Sequence, residues 1–450
     1  MQTEPCHMSH PPKVAIVGSG ISGLSVAHSL VGHADITLFE SGSYFGGHTH
    51  TVDVTLPTTQ GPVTHGVDTG FLVYNERTYP NLIALFAQLG VDTVKSEMSF
   101  SVQVPGALRG GTLEWSGTSL SSVFAQRSNL VNPQFLGMLW DMMRFNKLCT
   151  RLATSGSDAQ MAQPLKDFLQ QHRLGDAFCN WYLLPMLGCI WSCPTDQMLQ
   201  FPVATMIRFC HNHGLIQVTN RPQWYTVAGG ARHYVDKITS QIADKRLNTP
   251  VQLIERDGDS DRGSGSVRVV SQGRVERFDK VIIATHAPQA LAMLRDATAD
   301  ESAVLGAMRT QDNHVVLHTD ASVLPSQRST WAAWNYVRGN AQQESRTVCL
   351  HYLINKLQPL PFNQPVVVSL NPIEPIARNL VMGEYHYAHP VFDAAAIAAQ
   401  QRLGQLQGQH HTYFCGAWTG YGFHEDGLKS GLGVARQVLQ AIHAPAEQAA

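Results

Sequence analysis

The sequence predicts an α/β fold in which two domains are interleaved along the chain, and three features lead to this prediction. An apolar run at 14–17 leads through closely spaced glycines into a helical pattern and then into a second apolar run, ITLFE. Apolar residues recur at helical spacing from about residue 131 to 215. Strand-like runs that end in small residues return near residues 280 and 412. We therefore expect one sheet domain assembled from distant segments, and a second domain with a mixed sheet and a helical cap.

Composition and charge exclude several classes of protein. The 450 residues are 44% hydrophobic, and 32 Lys and Arg against 34 Asp and Glu give a net charge of -2. A balanced chain without a basic run offers no footprint for nucleic acid. Neither a signal-peptide pattern nor a run of about 18 apolar residues occurs, so we expect a soluble, cytoplasmic protein for which peripheral membrane contact stays open. Eight scattered cysteines favour reduced thiols over a disulfide framework.

The glycine motif near the N-terminus carries the strongest signal. Gly18 permits a tight turn, Gly20 lets a pyrophosphate approach the backbone, and Gly23 lets helix and strand pack closely. The N-terminus of the following helix attracts negative charge. Glu40, about twenty residues on, is placed to accept hydrogen bonds from a ribose. Strand, glycines, helix, second strand and acidic residue in this order predict a Rossmann-like dinucleotide site.

Further glycine pairs suggest which dinucleotide binds. Gly46 and Gly47 follow the second strand, another pair lies in WYTVAGGARHYV, and the late strand HTYFCGAW leads through glycines into a helix starting near Gly427. Nicotinamide dehydrogenases confine their cofactor to one continuous lobe. Glycines that recur this far apart therefore favour FAD.

These motifs resemble the flavin-containing amine oxidoreductase superfamily, which includes amine oxidases, protoporphyrinogen oxidase and phytoene desaturases. The resemblance is strongest to a bacterial subgroup of FAD-binding amine oxidase-like proteins, and it extends from Lys13 to about Leu439. The segments that carry it are GGHTHTVDV, VDTGFLVYN, YLLPMLGCIWS, NHGLIQV, RPQWYTVAGG, WNY and GFHEDGLKSG.

The resemblance implies noncovalent FAD, since no cysteine motif for covalent attachment is present. It implies that the C-terminal strand and helix return to the flavin domain, with Gly416 near the phosphates and the amides around Leu428 and Lys429 near the flavin C2 carbonyl. His48 stands where many relatives have arginine, and Val251 matches a strand whose backbone meets the adenine. The expected cofactor-binding residues are Gly18, Gly20, Ser22, Gly23, Glu40, Gly46, Gly47, His48, Val251, Gly416, Gly427 and Leu428.

The domain limits follow from the same segments. We expect residues 11–80, 225–300 and 405–445 to form the FAD-binding domain, and residues 81–224 and 301–404 to form the substrate domain. The Gly- and Asp-rich stretch at 257–265 is expected to be an exposed turn between two hairpin strands.

Catalytic and metal sites are less well defined. Trp334 and Tyr336 could wall the substrate side of a flavin, and His386 could accept a proton, although ordinary packing explains the same residues. No metal site is predicted, because the spacing of Cys189, Cys193, Cys210 and His213 fits no strong zinc template.

Three functional interpretations remain open. The first is an FAD-dependent oxidoreductase that transfers a hydride from a small apolar substrate, an acyl or isoprenoid lipid, to flavin N5, acting as a desaturase, oxidase or isomerase. It rests on apolar stretches such as LWDMMRF and FCNWYLLPML, which could line a tunnel or form a core. The second is an amine oxidase producing hydrogen peroxide. The third is a non-catalytic lipid-binding protein of the same fold. The sequence does not indicate the oligomeric state.

Overall fold

The structure is a computed structural model that describes residues 10–108, 111–191, 194–214, 221–256, 267–344 and 347–443. The turn expected at 257–265 and the candidate ligand Cys193 lie outside the described residues.

The strands are, in chain order, β1 (Lys13–Val17), β2 (Asp35–Phe39), β3 (Thr51–Thr58), β4 (Gly61–Asp68), β5 (Tyr74–Asn75), β6 (Thr93–Ser96), β7 (Phe100–Leu108), β8 (Gly111–Ser116), β9 (Trp224–Val227), β10 (Asp244–Arg246), β11 (Val251–Arg256), β12 (Val267–Ser271), β13 (Arg274–Phe278), β14 (Lys280–Ile283), β15 (Thr310–His318), β16 (Trp334–Val337), β17 (Cys349–Leu353), β18 (Val367–Leu370), β19 (Val381–Pro390) and β20 (Thr412–Phe414).

The α-helices are α1 (Ile21–Leu30), α2 (Pro80–Leu89), α3 (Leu120–Val123), α4 (Pro133–Ser155), α5 (Asp158–Ala162), α6 (Leu165–Gln171), α7 (Asp176–Phe178), α8 (Leu184–Trp191), α9 (Thr195–Met198), α10 (Val203–Asn212), α11 (Arg232–Thr239), α12 (Ala287–Met293), α13 (Ala299–Gly306), α14 (Ala341–Glu344), α15 (Ile354–Leu357), α16 (Ala394–Arg402) and α17 (His424–His443). A π-helical turn, Cys179–Leu183, joins α7 to α8.

The chain divides into two compact units. Unit 1 comprises Met1–Thr49, Tyr234–Arg309 and Ala396–Ala450, and unit 2 comprises His50–His233 and Thr310–Ala395. This division assigns the β3–β4 hairpin to unit 2. The domain limits drawn from the sequence stay a prediction.

Unit 1 is built on a parallel sheet with the strand order β10-β2-β1-β14-β20. After its exposed first residue, β1 is buried throughout, as is usual for a strand covered on both faces. Because the strands are parallel, the loops after β1, β2, β14 and β20 leave the sheet at one edge, where ligands of such sheets bind. A smaller antiparallel sheet, β11-β12-β13, belongs to the same unit.

Unit 2 contains a mixed seven-stranded sheet with the order β19-β15-β18-β17-β16-β7-β8, in which only β16 and β7 pair in parallel among the strands described. Its helical block runs from α4 to α10. Helix α4 begins after Asn132, whose side chain accepts the N–H groups of Gln134 and Phe135, and Pro133 occupies the first helical position. The predicted α/β fold with a mixed-sheet second domain and a helical cap is confirmed.

Within the ranges that the structure describes, no helix has the length and apolar character needed to cross a membrane.

Candidate functional site

In the glycine turn between β1 and α1, Gly18 and Gly23 are closely packed, and Gly20 between them faces open space. Gly18 adopts a φ of +100°, and a Cβ there would lie 2.8 Å from the Ala284 carbonyl oxygen. A Cβ on Gly23 would lie 1.9 Å from the Gly18 oxygen. A Cβ on Gly20 would meet no atom within 4 Å. Gly18 and Gly23 are therefore required by packing, while the space beside Gly20 can receive a ligand.

The second glycine pair lies against the first. The Gly46 N–H donates to the Ser19 carbonyl at 3.1 Å, and Gly46 forms an isolated bridge with Gly20. A Cβ on Gly47 would lie 3.1 Å from the Gly20 Cα. Both residues have positive φ, +121° and +58°, which favours glycine. The loop after β2 thus brings a second stretch of bare backbone to the turn after β1.

Glu40 lies directly after β2, at the edge of the sheet where the glycine turn lies. Its carboxylate accepts hydrogen bonds from the Ser19 N–H at 3.0 Å, the Ser19 hydroxyl at 2.5 Å and the Gly42 N–H at 2.7 Å. The donors hold the carboxylate beside the glycine turn. A ribose hydroxyl could replace the Ser19 hydroxyl as a donor without moving the carboxylate.

Strand β11 begins close to Glu40. The Thr249 N–H donates to the Glu40 carbonyl at 2.8 Å, and Val251, two residues later, opens the strand and pairs with Ser271. His48 is half-buried, and its ring meets the His286 ring edge-on at 5.9 Å. The cofactor-binding roles of both residues stay predictions.

The C-terminal strand and helix belong to unit 1, as does the glycine turn. Gly416 follows β20, and its N–H donates to the Ser430 hydroxyl at 3.2 Å. The Ser22 hydroxyl donates to the Gly427 carbonyl at 2.8 Å, and a Cβ on Gly427 would lie 2.8 Å from Ile21 Cγ2. Ser22 and Gly427 thus contact each other where α1 and α17 pack.

Helix α17 corrects one expectation, since it begins at His424 rather than near Gly427. The Asp426 carboxylate accepts the Phe423 N–H at 3.0 Å and so supports the earlier start. The amides that a helix does not bond itself are those of its first turn, here from His424 onward. Leu428 is fully buried and, with Lys429, lies beyond those first positions. Any contact of their amides with a flavin stays a prediction.

A polar cluster beside this helix was not identified from the sequence. The Tyr234 hydroxyl lies 2.7 Å from His424 Nε2 and 2.5 Å from Thr49 Oγ1. Loss of hydration lowers the pKa of His424 to about 3, so the ring is neutral at physiological pH. The segment GFHEDGLKSG drew attention to His424, but no local pattern connects it with residues 375 and 190 positions away.

A buried carboxylate connects two of the sequence motifs in unit 2. Asp68, from VDTGF, accepts the Ala231 N–H of the AGGAR motif at 3.0 Å, the Thr51 hydroxyl at 2.5 Å and the Gln358 amide at 2.7 Å. Its own N–H donates to Gln358 Oε1 at 3.0 Å. Burial raises the pKa of Asp68 to about 6. The hydrogen bonds of Asp68 therefore give both motifs a structural role.

The three candidate catalytic residues all lie in unit 2, in different surroundings. Tyr336 is buried on β16, and Trp334, two residues earlier on that strand, packs edge-on against Tyr352 at 5.5 Å. The Trp334 indole N–H has no hydrogen-bond partner among the described residues. His386 is exposed on β19, 5.4 Å from the His314 ring. Their catalytic roles stay predictions.

The opposite face of β19 carries aromatic residues that the sequence analysis did not single out. Tyr385 and Tyr387 stack with their rings nearly parallel at 7° and 6.3 Å between centroids. The Tyr387 hydroxyl lies 2.9 Å from His50 Nδ1 and 2.6 Å from the Thr69 hydroxyl. Strand alternation, by which residues two apart share a face, could have indicated the pair.

The cysteine and histidine residues considered for zinc occupy apolar surroundings. Burial raises the pKa of Cys210 to about 12 and that of Cys189 well above its usual range, and it lowers the pKa of His213 to about 4. Outside the undescribed segments, no three His, Cys, Asp or Glu side chains cluster as metal ligands would.

Comparisons with known proteins agree with this geometry. Residues 16–89 match the family model described as an NAD(P)-binding Rossmann-like domain. No curated protein matches the sequence.

Three solved structures share the fold over nearly their whole length. A protein from Exiguobacterium sp. 255-15, provisionally assigned as a protoporphyrinogen oxidase, is 18% identical with a TM-score of 0.64, covering 96% of this chain and 99% of that one. A fatty acid isomerase from P. acnes that produces CLA is 15% identical with a TM-score of 0.62 over 96% and 99%. Cyclohexylamine oxidase from Brevibacterium oxydans IH-35A is 14% identical with a TM-score of 0.67 over 96% and 100%.

The chain therefore shares its fold with these three proteins, and the resemblance recognised from its motifs is confirmed at the level of the fold. By their names the neighbours include both oxidases and an isomerase.

Proposed function

We propose that this protein is an FAD-dependent oxidoreductase that binds FAD noncovalently in unit 1 and acts on an apolar substrate, an acyl or isoprenoid lipid. One observation carries the cofactor assignment. The space beside Gly20 is open, while Gly18 and Gly23 on either side could not carry a Cβ without contacts of 2.8 Å and 1.9 Å. A turn that packs this closely yet leaves its middle glycine uncovered suits a pyrophosphate.

The other residues of unit 1 fit the rest of an FAD molecule. Glu40 offers a carboxylate for ribose hydroxyls, and the strand beginning at Val251 offers backbone for the adenine. Gly416 and the first turn of α17 offer backbone and a helix N-terminus, which favours negative charge. When bound, FAD supplies a ring that accepts a hydride from the substrate.

Burial keeps the histidine of the polar cluster at α17 neutral. Tyr234 and Thr49 bond to Nε2 of His424, and the pKa of His424 is lowered to about 3. A neutral ring at this position adds no positive charge to the first turn of α17. Any polarity toward a cofactor there then comes from the helix amides.

The helical block of unit 2 supports the choice of an apolar substrate. An ammonium group would need a carboxylate partner, but Asp141 is already paired with Arg144 at 2.5 Å, and Asp167 and Asp176 are exposed. Of the stretches expected to line a tunnel, FCNWYLLPML packs into a core, as Phe178 does with Phe145 and Tyr182 at 5.2 and 5.7 Å. In LWDMMRF, Trp140 and Met143 are exposed instead. The lipid proposal therefore rests on the absence of a suitable acidic partner among the described residues of the block and on the isomerase neighbour.

The second candidate is an amine oxidase, and one observation favours it. Tyr385 is half-buried and stacks on the buried Tyr387, and an aromatic ring of this kind attracts a cationic amine. One of the neighbours is named cyclohexylamine oxidase. This candidate differs from the first in substrate but requires the same cofactor site.

The test is anaerobic reduction of the purified yellow protein by a panel of substrates. We expect long-chain unsaturated acyl lipids to bleach or shift the flavin absorbance, and cyclohexylamine and putrescine to leave it unchanged. Bleaching by an amine, with hydrogen peroxide formed on admitting air and no response to any lipid, would establish the amine oxidase instead. A Tyr385→Leu, Tyr387→Leu variant separates the two, because it should slow reduction only by an amine.

A further inference from the structure

Large apolar side chains are exposed together on one part of unit 2. We call Leu130, Val131, Leu136, Trp140 and Met143 the apolar face. Val131 is 80% exposed and Trp140 is 62% exposed. Leu136, Trp140 and Met143 follow each other at intervals of four and three residues, so they share one side of α4. Leu130 and Val131 lie directly before the capping residue of that helix.

The packing of α4 within unit 2 does not explain this side of the helix. Its inner side already carries a full set of buried residues at helical spacing, which are Phe135, Met138, Phe145, Cys149 and Leu152. The outer side of such a helix is ordinarily polar. Here it is apolar in the N-terminal half, and an exposed tryptophan at its centre is unusual for a surface exposed only to water.

The exposed charged side chains in the sequence around the apolar face are all basic. Residues 117–157 contain four basic residues, Arg127, Arg144, Lys147 and Arg151, and one acidic residue, Asp141, which gives 4 - 1 = +3, whereas the whole chain has a net charge of -2. Asp141 is buried and bonds to Arg144 and to the Gly175 N–H. Lys147 and Arg151 are exposed and lie four and eight residues after Met143, on the same side of α4.

We infer that the apolar face of α4 docks on an anionic lipid surface. Tryptophan, leucine and methionine side chains enter the boundary between headgroups and acyl chains, and the basic residues of the following turns meet anionic headgroups. A second copy docked through the same face would offer no exposed acidic side chain of α4 to the basic half, because Asp141 is buried. A lipid surface complements both halves of the helix at once.

The inference does not rest on the proposed function, because binding to vesicles needs neither FAD nor substrate. The two proposals are compatible, because a lipid surface is also where an apolar acyl or isoprenoid substrate is found. Failure of one therefore leaves the other standing.

Sedimentation of the full-length protein with vesicles tests the inference. We expect binding to vesicles of phosphatidylcholine mixed with phosphatidylglycerol, weaker binding to phosphatidylcholine alone, and a loss of binding to the mixed vesicles as salt is raised. A Trp140→Ser, Met143→Ser variant should lower the partition coefficient on mixed vesicles by about tenfold or more. A Lys147→Gln, Arg151→Gln variant should retain the weaker binding and lose most of the salt dependence.

Two exposed residues of unit 1 supply matched controls. Val275 is 61% exposed, and Arg274 next to it is exposed as well. Val275→Ser and Arg274→Gln should leave the partition coefficient unchanged. Equal losses in these variants, or no binding to either kind of vesicle, would overturn the inference. A concentration-dependent dimer that Trp140→Ser abolishes, without vesicle binding, would assign the face to a second copy.

Discussion

At the scale of single residues, the mixed sheet of unit 2 contains a directional chain of buried hydrogen bonds. The Asp320 N–H donates to His318 Nδ1 at 3.1 Å, so the proton of that neutral ring is on Nε2. His318 Nε2 then donates to the Ser369 hydroxyl at 2.6 Å, which donates to His351 Nδ1 at 2.6 Å. His351 Nε2 faces the Cys349 sulfur at 3.5 Å. The chain is satisfied only while both histidines are neutral.

This chain predicts a loss of stability in acid. Burial lowers the pKa of His318 to about 4 and that of His351 to about 3, below the usual 6.5. Below pH 6.5 the unfolded chain binds protons that the folded chain does not, so stability decreases from about pH 6.5 down to about pH 4. The expected slope is roughly 1.4 kcal/mol per pH unit for each histidine. Urea unfolding midpoints measured across this range check it.

A pair of variants identifies the source of the slope. His318→Gln removes one titrating ring and should reduce the slope by roughly 1.4 kcal/mol per pH unit, even if the variant is less stable at every pH. The remainder comes mainly from the other histidines whose pKa burial lowers, His351, His213 and His424. Val275→Ser, at an exposed position without a titrating group, should leave the slope as it is. An unchanged slope in the His318 variant would contradict the assignment.

At the scale of elements, α1 and α17 approach each other closely because two glycines face α1. A Cβ on Gly431 would lie 2.0 Å from Ser25 Oγ and 2.4 Å from the Ser22 carbonyl oxygen. Gly427 meets Ser22 and Ile21 four residues earlier on the same side. The contact holds the helix that follows the first glycine turn against the helix that follows Gly416.

Two glycines of α17 therefore predict opposite effects of alanine. Gly431→Ala should destabilise unit 1 by about 1–3 kcal/mol, since backbone as well as a side chain must move. Gly433→Ala places its Cβ where no atom lies within 4 Å, and it should stabilise the helix by about 0.5–1 kcal/mol. Thermal unfolding of the two variants checks this. Shifts of the melting temperature in the same direction would show that the helix contact is wrongly described.

The elements differ in how far their own sequence predicts them. The turn after β1 was predictable because strand, glycines and helix are adjacent and each glycine has a local reason. The start of α17 was misplaced by three residues because the Asp426 carboxylate reaches back to the Phe423 N–H, a cap that the apolar pattern does not reveal. Boundaries set by single side chains are harder to predict than the elements themselves.

At the scale of the whole molecule, the sheet of unit 1 was predicted from runs that end in small residues, although β14 pairs with β1, and β20 with β14, across long stretches of chain. The pairing of distant polar side chains could not be predicted. Asp68 meets Ala231 and Gln358 across 163 and 290 residues, and a carboxyl group in a sequence does not specify its partners. The substrate side is least predictable for the same reason, since aromatic residues form cores and pocket walls alike.

The proposed function depends above all on noncovalent binding of FAD in the space beside Gly20. Gly20 has a φ of -64°, which any residue can adopt, and a Cβ on it would meet no atom within 4 Å. A Gly20→Val protein should therefore fold. Gly404 is a matched control in unit 1, because a Cβ on it also meets no atom within 4 Å.

The most direct measurement is the FAD content of the purified wild-type, Gly20→Val and Gly404→Val proteins, read from the absorbance of the chromophore released on denaturation. We expect FAD in the wild-type and Gly404→Val proteins and a folded, colourless Gly20→Val protein. Full FAD occupancy in Gly20→Val, or no flavin in any of the three after incubation with FAD, would contradict the proposed function.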